Sequence, residues 1–185
     1  MFPYIIDRDI ELRLFSEHHA DKMFDLIYRS RDHLGQWLRW VGRIQSANDA
    51  EAHIWRYANK AQSNDGFHAA IWYNKTLAGG VYCPYVDLES RKTEIGFWLG
   101  QEYSKEELAV RILNQVLRFL FLEMRIHRVE MQVPLLNEFK RTIAVSLNFE
   151  LEGVKRESEW LNDEFIDVAL FSLLDHEWQE NRSSG

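Results

Sequence analysis

Apolar residues in the first third of the chain recur mainly with the spacing of helices. Before them, apolar and charged residues alternate over residues 10–14, which predicts a strand with one buried face. Ser16 is suited to begin the first helix because its hydroxyl can accept from a free backbone N–H. The helices predicted in this part cover residues 20–28, 33–40 and 51–61, and a polar cluster at residues 63–66 ends the last of them.

Short β-rich runs dominate from residue 67 onward, and turn residues separate them. Residues 67–73 and 77–82 are joined by Asn74-Lys75, which predicts a hairpin. The other predicted elements are strands at 93–99 and 127–133, helices at 108–124 and 142–147, and closing strands through 149–160 and 165–173. This order predicts one α/β (α+β) domain over residues 1–185, with a mixed sheet flanked by helices.

The composition excludes several classes of protein. The 22 Lys and Arg against 29 Asp and Glu give a net charge of −7, which argues against a direct nucleic-acid binder. The single cysteine, Cys83, excludes a disulfide framework, and no clustered ligand spacing predicts a metal site. The sequence has neither a signal-peptide layout nor an uncharged apolar run long enough to cross a membrane, so we expect a soluble, cytoplasmic protein with no membrane partner.

Several short segments, taken in order, carry a resemblance to a known family. These segments are Leu12-Arg13-Leu14, Trp37-Leu38-Arg39-Trp40-Val41, Thr93-Glu94-Ile95-Gly96-Phe97-Trp98-Leu99, Ile126-His127-Arg128-Val129-Glu130, Asn137, Leu147-Asn148-Phe149, Leu151-Glu152-Gly153, Trp160-Leu161-Asn162 and Asp167. In their order and spacing they resemble the GCN5-related N-acetyltransferases (GNAT), and within them the RimJ/RimL type that acetylates protein N-termini.

The resemblance implies a fold and a reaction. Acetyl-CoA is expected in a gap between two splayed parallel strands, at residues 93–99 and 127–133, with the backbone of Phe97, Trp98 and Leu99 holding the pantetheine. The amine of the acceptor, on a protein N-terminus or a small molecule, would attack the thioester directly in a ternary complex. The resemblance also admits a homodimer, although no stretch of sequence identifies an interface.

The sequence departs from the family at the turn that binds pyrophosphate. The resemblance implies cofactor contacts there from Ser104, Lys105, Glu106, Glu107, Leu108 and Ala109. Lys105 and Glu107 occupy the two glycine positions, and Ser104 with Glu107 predicts a capping box that would use the helix's own free donors. Two hypotheses follow: an active acetyltransferase, or a catalytically inactive binding or regulatory protein with a degenerate loop. An acyltransferase that uses a different donor has no positive sign in the sequence.

Two residues are candidates for the proton transfers. Glu94 stands where RimJ/RimL-like enzymes are thought to take the amine proton, and burial would suit its pKa to that work. The alternative is an exposed glutamate paired with Arg91 or Lys92. Tyr103 is a candidate donor to the leaving thiolate, although a tyrosine at this point favours packing.

The remaining candidates contact the cofactor or the acceptor in the family. Asn137 would hold the pantetheine or a water, or else cap the helix that follows it. Lys140 replaces the family's serine, and would either stabilise the thiolate or point to solvent. Trp37, Trp40 and Trp160 are candidates for the acceptor groove, and each also suits a structural role.

Overall fold

The computed structural model describes residues 3–62 and 66–178. Its strands form two five-stranded sheets, of which one is antiparallel and the other is mixed. The strands are β1 (Tyr4–Ile5), β2 (Ile10–Leu14), β3 (Phe67–Tyr73), β4 (Thr76–Cys83), β5 (Val86–Asp87), β6 (Lys92–Glu94), β7 (Gly96–Leu99), β8 (Arg128–Pro134), β9 (Glu150–Leu161) and β10 (Glu164–Leu174). The helices are α1 (Ala20–Arg29), α2 (Arg31–Gly35), α3 (Ala47–Gln62), α4 (Glu106–Arg118) and α5 (Glu138–Ser146). The mixture of helices and sheets confirms the predicted α/β class.

The chain divides into two compact units, each with one of the sheets. The first unit comprises Met1–Tyr85 and Gly96–Ser104, and the second comprises Val86–Ile95 and Lys105–Gly185. The assignment of residues 1–185 to one domain stays a prediction. Within the described ranges, no helix combines the length and the apolar character that a membrane crossing needs.

The sheet of the first unit has the strand order β1-β2-β3-β4-β7. The predicted hairpin is confirmed: β3 and β4 pair up to Tyr73 and Thr76, and Asn74 and Lys75 between them have φ of 48° and 64°. Two residues with positive φ are what a tight two-residue turn needs to match the strand twist. Helix α1 buries Met23 and Ile27 in the core of this unit, as the apolar spacing predicts, and it buries Leu26 beside them.

The sheet of the second unit has the strand order β5-β6-β8-β10-β9. Strand β6 runs parallel to β8, and their pairing ends with Glu94 opposite Glu130 and a 2.8 Å bond from the Ile95 N–H to the Glu130 carbonyl. Beyond Glu130, β8 continues to Pro134 beside β10. In the described part of this sheet, that second half of β8 has no strand neighbour on the side of β6.

The strand predicted at residues 93–99 is therefore two strands. After Ile95 the chain leaves β8, and β7 pairs with β4 in the other sheet, where Gly96 lies opposite Tyr82. A Cβ at Gly96 would lie 2.3 Å from the Tyr82 ring, so only glycine permits this approach. An alternation of apolar residues does not show which partner each half of a strand takes.

Three predicted helices have different bounds in the structure. The helix predicted at 33–40 is α2 followed by a 3-10 turn at Arg39–Arg43, and α4 continues into a π-helical turn at Phe119–Glu123. Helix α5 begins four residues before the predicted start, because Asn137 caps it at the N-terminus. Residues 63–65 of the cluster predicted to end α3 lie outside the described residues.

Candidate functional site

Glu94 lies at the end of β6, where the parallel pairing with β8 stops. Its Oε2 accepts a hydrogen bond of 2.7 Å from Nε2 of Gln132, a residue of β8. The predicted alternative, an exposed glutamate paired with Arg91 or Lys92, is wrong: Glu94 is partly buried, and among the described residues it forms an ion pair with neither of these cations. Burial raises the pKa of Glu94 above its usual range, while the hydrogen bond from Gln132 opposes that rise. A partly buried carboxylate with a raised pKa is a stronger base than an exposed one, which suits it to accept a proton.

Lys140 lies in the first turn of α5, in the same unit as Glu94. Lys140 is partly exposed. Burial of the amino group lowers its pKa to about 8, although the negative charges of Glu159 and Glu94 favour the protonated form. The structure thus contradicts the alternative that Lys140 points freely to solvent. A lysine that titrates near pH 8 can donate a proton and recover it under ordinary conditions.

Asn137 caps α5, as one of its two predicted roles requires. Its Oδ1 accepts from the backbone N–H of Lys140 at 3.0 Å, and the residue is 3% exposed. The cap fixes the first turn of α5, and with it the backbone of Lys140. The contact with pantetheine or water stays a prediction.

Removal of this cap has a measurable cost. We expect Asn137→Ala to lower the free energy of unfolding by about 1 kcal/mol, because a backbone donor of α5 loses its acceptor. Urea unfolding followed by circular dichroism measures the change. Asn137→Ser, which keeps an uncharged acceptor at the N-cap, is the control and should lose less stability than Asn137→Ala. An unchanged midpoint in the alanine variant would show that the cap contributes nothing.

The capping box predicted at the start of α4 is wrong. The N-cap is Lys105, and no side chain of the described residues caps the helix. Ser104 lies in the other unit, where its Oγ is 2.8 Å from His33 Nε2 and donates to the Gly100 carbonyl at 3.1 Å. The N–H groups of the first turn of α4 are therefore not used by Ser104.

The residues at the two glycine positions fit the backbone without strain. Lys105 has φ −115°, an ordinary extended value, and Glu107 lies inside the helix. Neither belongs to the residues with positive φ. The other carboxylate of this turn, Glu106, accepts from Ser146 Oγ of α5 at 2.7 Å, whereas Lys105 and Glu107 are exposed. Leu108 and Ala109 are buried, so only their backbone groups can contact a ligand.

The side chains of Phe97, Trp98 and Leu99 are nearly fully buried, and Trp98 belongs to the core cluster of the first unit. Trp98 Nε1 donates to Nε2 of the buried His68 at 3.3 Å. A Cβ at Gly80 would lie 2.5 Å from Trp98 Nε1, so a glycine at this position leaves room for the hydrogen bond between Trp98 and His68. Their predicted contact with pantetheine is through the backbone. In the described part of its sheet β7 is the last strand, which leaves one edge without a strand neighbour.

The aromatic candidates divide between the two units. Tyr103 packs partly buried against the core of the first unit, with its ring 6.3 Å from Tyr73, which supports the packing interpretation. Trp37 and Trp40 pack against the same core. Trp160 belongs to the second unit, is 43% exposed and meets Phe165 edge to face at 4.8 Å. Contacts of the three tryptophans with an acceptor stay predictions.

Sequence reasoning missed the polar neighbours of Glu94. Gln132 contacts Glu94 directly, Lys155 Nζ donates to Gln132 Oε1 at 2.9 Å, and the carboxylates of Glu130 and Glu159 act on the Glu94 pKa. One signal was present: polar residues alternate with buried ones along β8, which puts Glu130 and Gln132 on one face. The positions of Lys155 and Glu159 on β9 were not predictable in this way, because almost every residue of that strand is exposed and no alternation is visible.

Comparison with known proteins gives a consistent result. The model of the acetyltransferase (GNAT) domain matches residues 9–150. YdaF of Bacillus subtilis strain 168, whose name marks it as a candidate ribosomal N-acetyltransferase, is 27% identical over 184 residues, which cover 97% of this chain and 98% of YdaF. A crystal structure of a probable acetyltransferase matches with a TM-score of 0.90 at 26% identity, and the match covers 96% of this chain and 99% of that protein. RimL, a ribosomal-protein alpha-N-acetyltransferase in complex with coenzyme A, shares the fold with a TM-score of 0.88 at 20% identity, over 92% of this chain and 96% of RimL.

The family match covers most of the chain and includes residues from both units. Glu94, the first turn of α4 and the first turn of α5 all lie inside the matched range of residues 9–150. The resemblance to the RimJ/RimL type, inferred from short segments of sequence, is confirmed by these relatives. The chain belongs to the GNAT family of acetyltransferases.

Proposed function

We propose that this protein is an acetyl-CoA-dependent N-acetyltransferase, which transfers an acetyl group to a primary amine in a ternary complex. The acceptor is the amine of a protein N-terminus or of a small molecule. YdaF and RimL, whose names connect them with ribosomal proteins, support a protein acceptor. Acetyl-CoA as the co-substrate is supported by the fold shared with RimL, which was crystallised with coenzyme A.

The observation that carries the proposal is the uncapped start of α4. The first N–H groups of a helix bind anions well, because they lack intrahelical acceptors and lie at the positive end of the helix dipole. Since Ser104 bonds to His33 and Glu106 to Ser146, neither side chain competes with a pyrophosphate for these donors. Lys105 adds a positive charge at the N-cap. The turn therefore fits a pyrophosphate although it lacks the family's glycines.

The second half of β8 suits the pantetheine arm. Between Glu130 and Pro134 this strand has β10 on one side, and in the described part of its sheet no strand lies on the other. Backbone groups along such an edge can pair with the amides of an extended ligand as they would with a strand. This edge leads from Glu94 toward Asn137 and the first turn of α5.

Glu94 and Lys140 supply the two proton transfers that the reaction needs. Acetyl-CoA provides the acetyl thioester, and the acceptor amine displaces its sulfur. Glu94 accepts a proton from the acceptor ammonium, directly or through water, which frees the electron pair that forms the C–N bond. Lys140 donates a proton to the sulfur as the C–S bond breaks, and then takes the second proton from the amide nitrogen. The net release is one proton, held on Glu94 until solvent removes it.

Calorimetric titration with acetyl-CoA and with coenzyme A tests the proposal. We expect dissociation constants in the micromolar range, typical of co-substrates. Glu107→Gln should tighten binding severalfold at low salt, because an exposed carboxylate beside a phosphate is removed, and the gain should shrink as salt is raised. Acetylation of peptide N-termini and small amines, followed by mass spectrometry, then identifies the acceptor.

Glu123→Gln is the matched control for the titration. It removes an exposed carboxylate from the opposite end of the same helical segment. Its affinity for acetyl-CoA should equal that of the wild type. Absence of binding at millimolar acetyl-CoA would contradict the proposal and favour the non-catalytic protein with a degenerate loop. Binding without transfer to any amine would contradict the enzymatic part alone.

A further inference from the structure

We propose that Gln132 is a positioning residue that holds the carboxylate of Glu94 in one orientation, with Lys155 as its anchor. The three residues come from three strands of the second unit: Glu94 from β6, Gln132 from β8 and Lys155 from β9. Gln132 Nε2 donates to Glu94 Oε2 at 2.7 Å, and Lys155 Nζ donates to Gln132 Oε1 at 2.9 Å. This inference rests on the proposed function, since it gives Glu94 the role of base.

Lys155 determines which way the Gln132 amide faces. A side-chain amide has an acceptor oxygen and a donor nitrogen, whereas an ammonium group only donates and a carboxylate only accepts. If the amide turned over, its oxygen would face the Glu94 carboxylate and its NH2 group would face the Lys155 ammonium. Both contacts would then be repulsive. The cation therefore keeps the Gln132 N–H groups directed at Glu94.

The arrangement also opposes a local excess of negative charge. Glu130 lies opposite Glu94 in the parallel pairing, and Glu159 adds a third carboxylate. Burial and these two neighbours disfavour the ionised form of Glu94, which is the form that accepts a proton. The N–H of Gln132 and the charge of Lys155 favour it, while Lys140 is the other cation whose charge couples to Glu94.

One oxygen of Glu94 is held while the other stays available. The bond from Gln132 goes to Oε2, and within the described residues Oε1 accepts no side-chain hydrogen bond. A carboxylate fixed at one oxygen has less freedom to rotate, so its second oxygen is presented in one orientation. This geometry suits a base that must meet an amine, or a water bound to it, at a defined point.

Gln132→Met removes the hydrogen bond and keeps the length of the side chain. We expect the acid limb of the pH profile of kcat/KM to move up by about one pH unit, because the ionised form of Glu94 loses a favourable donor. On the acid side of that limb a shift of about one unit corresponds to a loss of activity of about tenfold, with the affinity for acetyl-CoA unchanged. Lys155→Met should move the limb in the same direction by less, and Lys155→Arg should restore it.

Arg156→Met is the matched control, since it removes an exposed cation from the next residue of β9, and that cation has no part in the pKa shift of Glu94. Its pH profile should equal that of the wild type. A loss of activity in Gln132→Met without a shift of the acid limb would overturn the inference, because a merely structural role predicts that result. An equal shift in Arg156→Met would overturn it as well, since the effect would then come from net charge.

The carboxyl carbon of Glu94, followed by NMR titration, gives a readout that does not need activity. We expect the pKa of this group to be higher in Gln132→Met than in the wild type. If the pKa rises in a protein that acetylates no amine, the coupling of Gln132 to Glu94 stands and the proposed function fails. If the enzyme is active and neither the carboxyl titration nor the pH profile changes, the proposed function stands and the positioning role fails.

Discussion

Glu94→Gln should reduce kcat/KM by about a thousandfold, within the range typical for loss of a general base. The substituted amide has the shape of the carboxylate but cannot accept a proton from the acceptor ammonium. The affinity for acetyl-CoA should stay within about twofold of the wild type, since the donors proposed to bind the pyrophosphate belong to α4. Steady-state kinetics with an amine acceptor, together with calorimetric titration, measure both quantities.

The pH dependence of the wild-type activity is a second test of Glu94 as the general base. Activity requires the ionised carboxylate, and burial raises the pKa of Glu94 above its usual range. Activity should therefore fall as the pH is lowered through that raised pKa, and this acid limb should be absent from the residual activity of Glu94→Gln. In the comparison variant Glu130→Gln the acid limb should remain but move to lower pH, because the charge of Glu130 contributes to the raised pKa of Glu94. An unchanged acid limb in Glu94→Gln would assign the base to another carboxylate.

Lys140→Met should reduce kcat by about a hundredfold at neutral pH, because the departing sulfur loses its proton donor. The effect on the basic side of the pH profile is the more specific one. Burial lowers the pKa of Lys140 to about 8, and only the protonated form can donate. Activity of the wild type should thus fall as the pH rises through about 8, and the variant should lack this basic limb.

Arg141→Met is the control for Lys140→Met. Arg141 is the next residue of α5, is exposed, and donates to the Leu135 carbonyl at 3.3 Å. Its removal changes the charge of the same helix turn and should leave both limbs of the pH profile in place. If Lys140→Met retains a basic limb near pH 8, another group is the donor, and Lys140 contributes only to packing at the start of α5.

Much of the fold was predictable because local patterns carry it. The hairpin at Asn74 and Lys75 follows from two residues that tolerate positive φ between two β-rich runs. The buried stripe of α4 follows from its 3.6-residue spacing. The N-cap role of Asn137 follows from its residue type at the start of an apolar helix.

The predictions that were wrong concern segments that could form hydrogen bonds with more than one partner. Ser104 and Glu107 have the spacing of a capping box, but Ser104 bonds to His33, which is 71 residues away in the chain. The apolar run from Thr93 to Leu99 has the pattern of one strand, but its two halves pair with β8 and β4. A rule based on neighbouring residues does not include a hydrogen-bond or strand partner that is distant in the sequence.

Periodicity along the chain was enough to predict the α/β class, and the order of short segments was enough to show the resemblance that made Glu94, Asn137 and Lys140 candidates. The chemical state of these residues depends on the fold. The pKa of Lys140 depends on burial and on Glu94 and Glu159, and that of Glu94 depends on Gln132. These groups are separated in the chain and meet through the pairing of β6 with β8 and through the packing of β9 and α5 in the same unit. Burial and charge act through space, so the protonation of a site is a property of the fold.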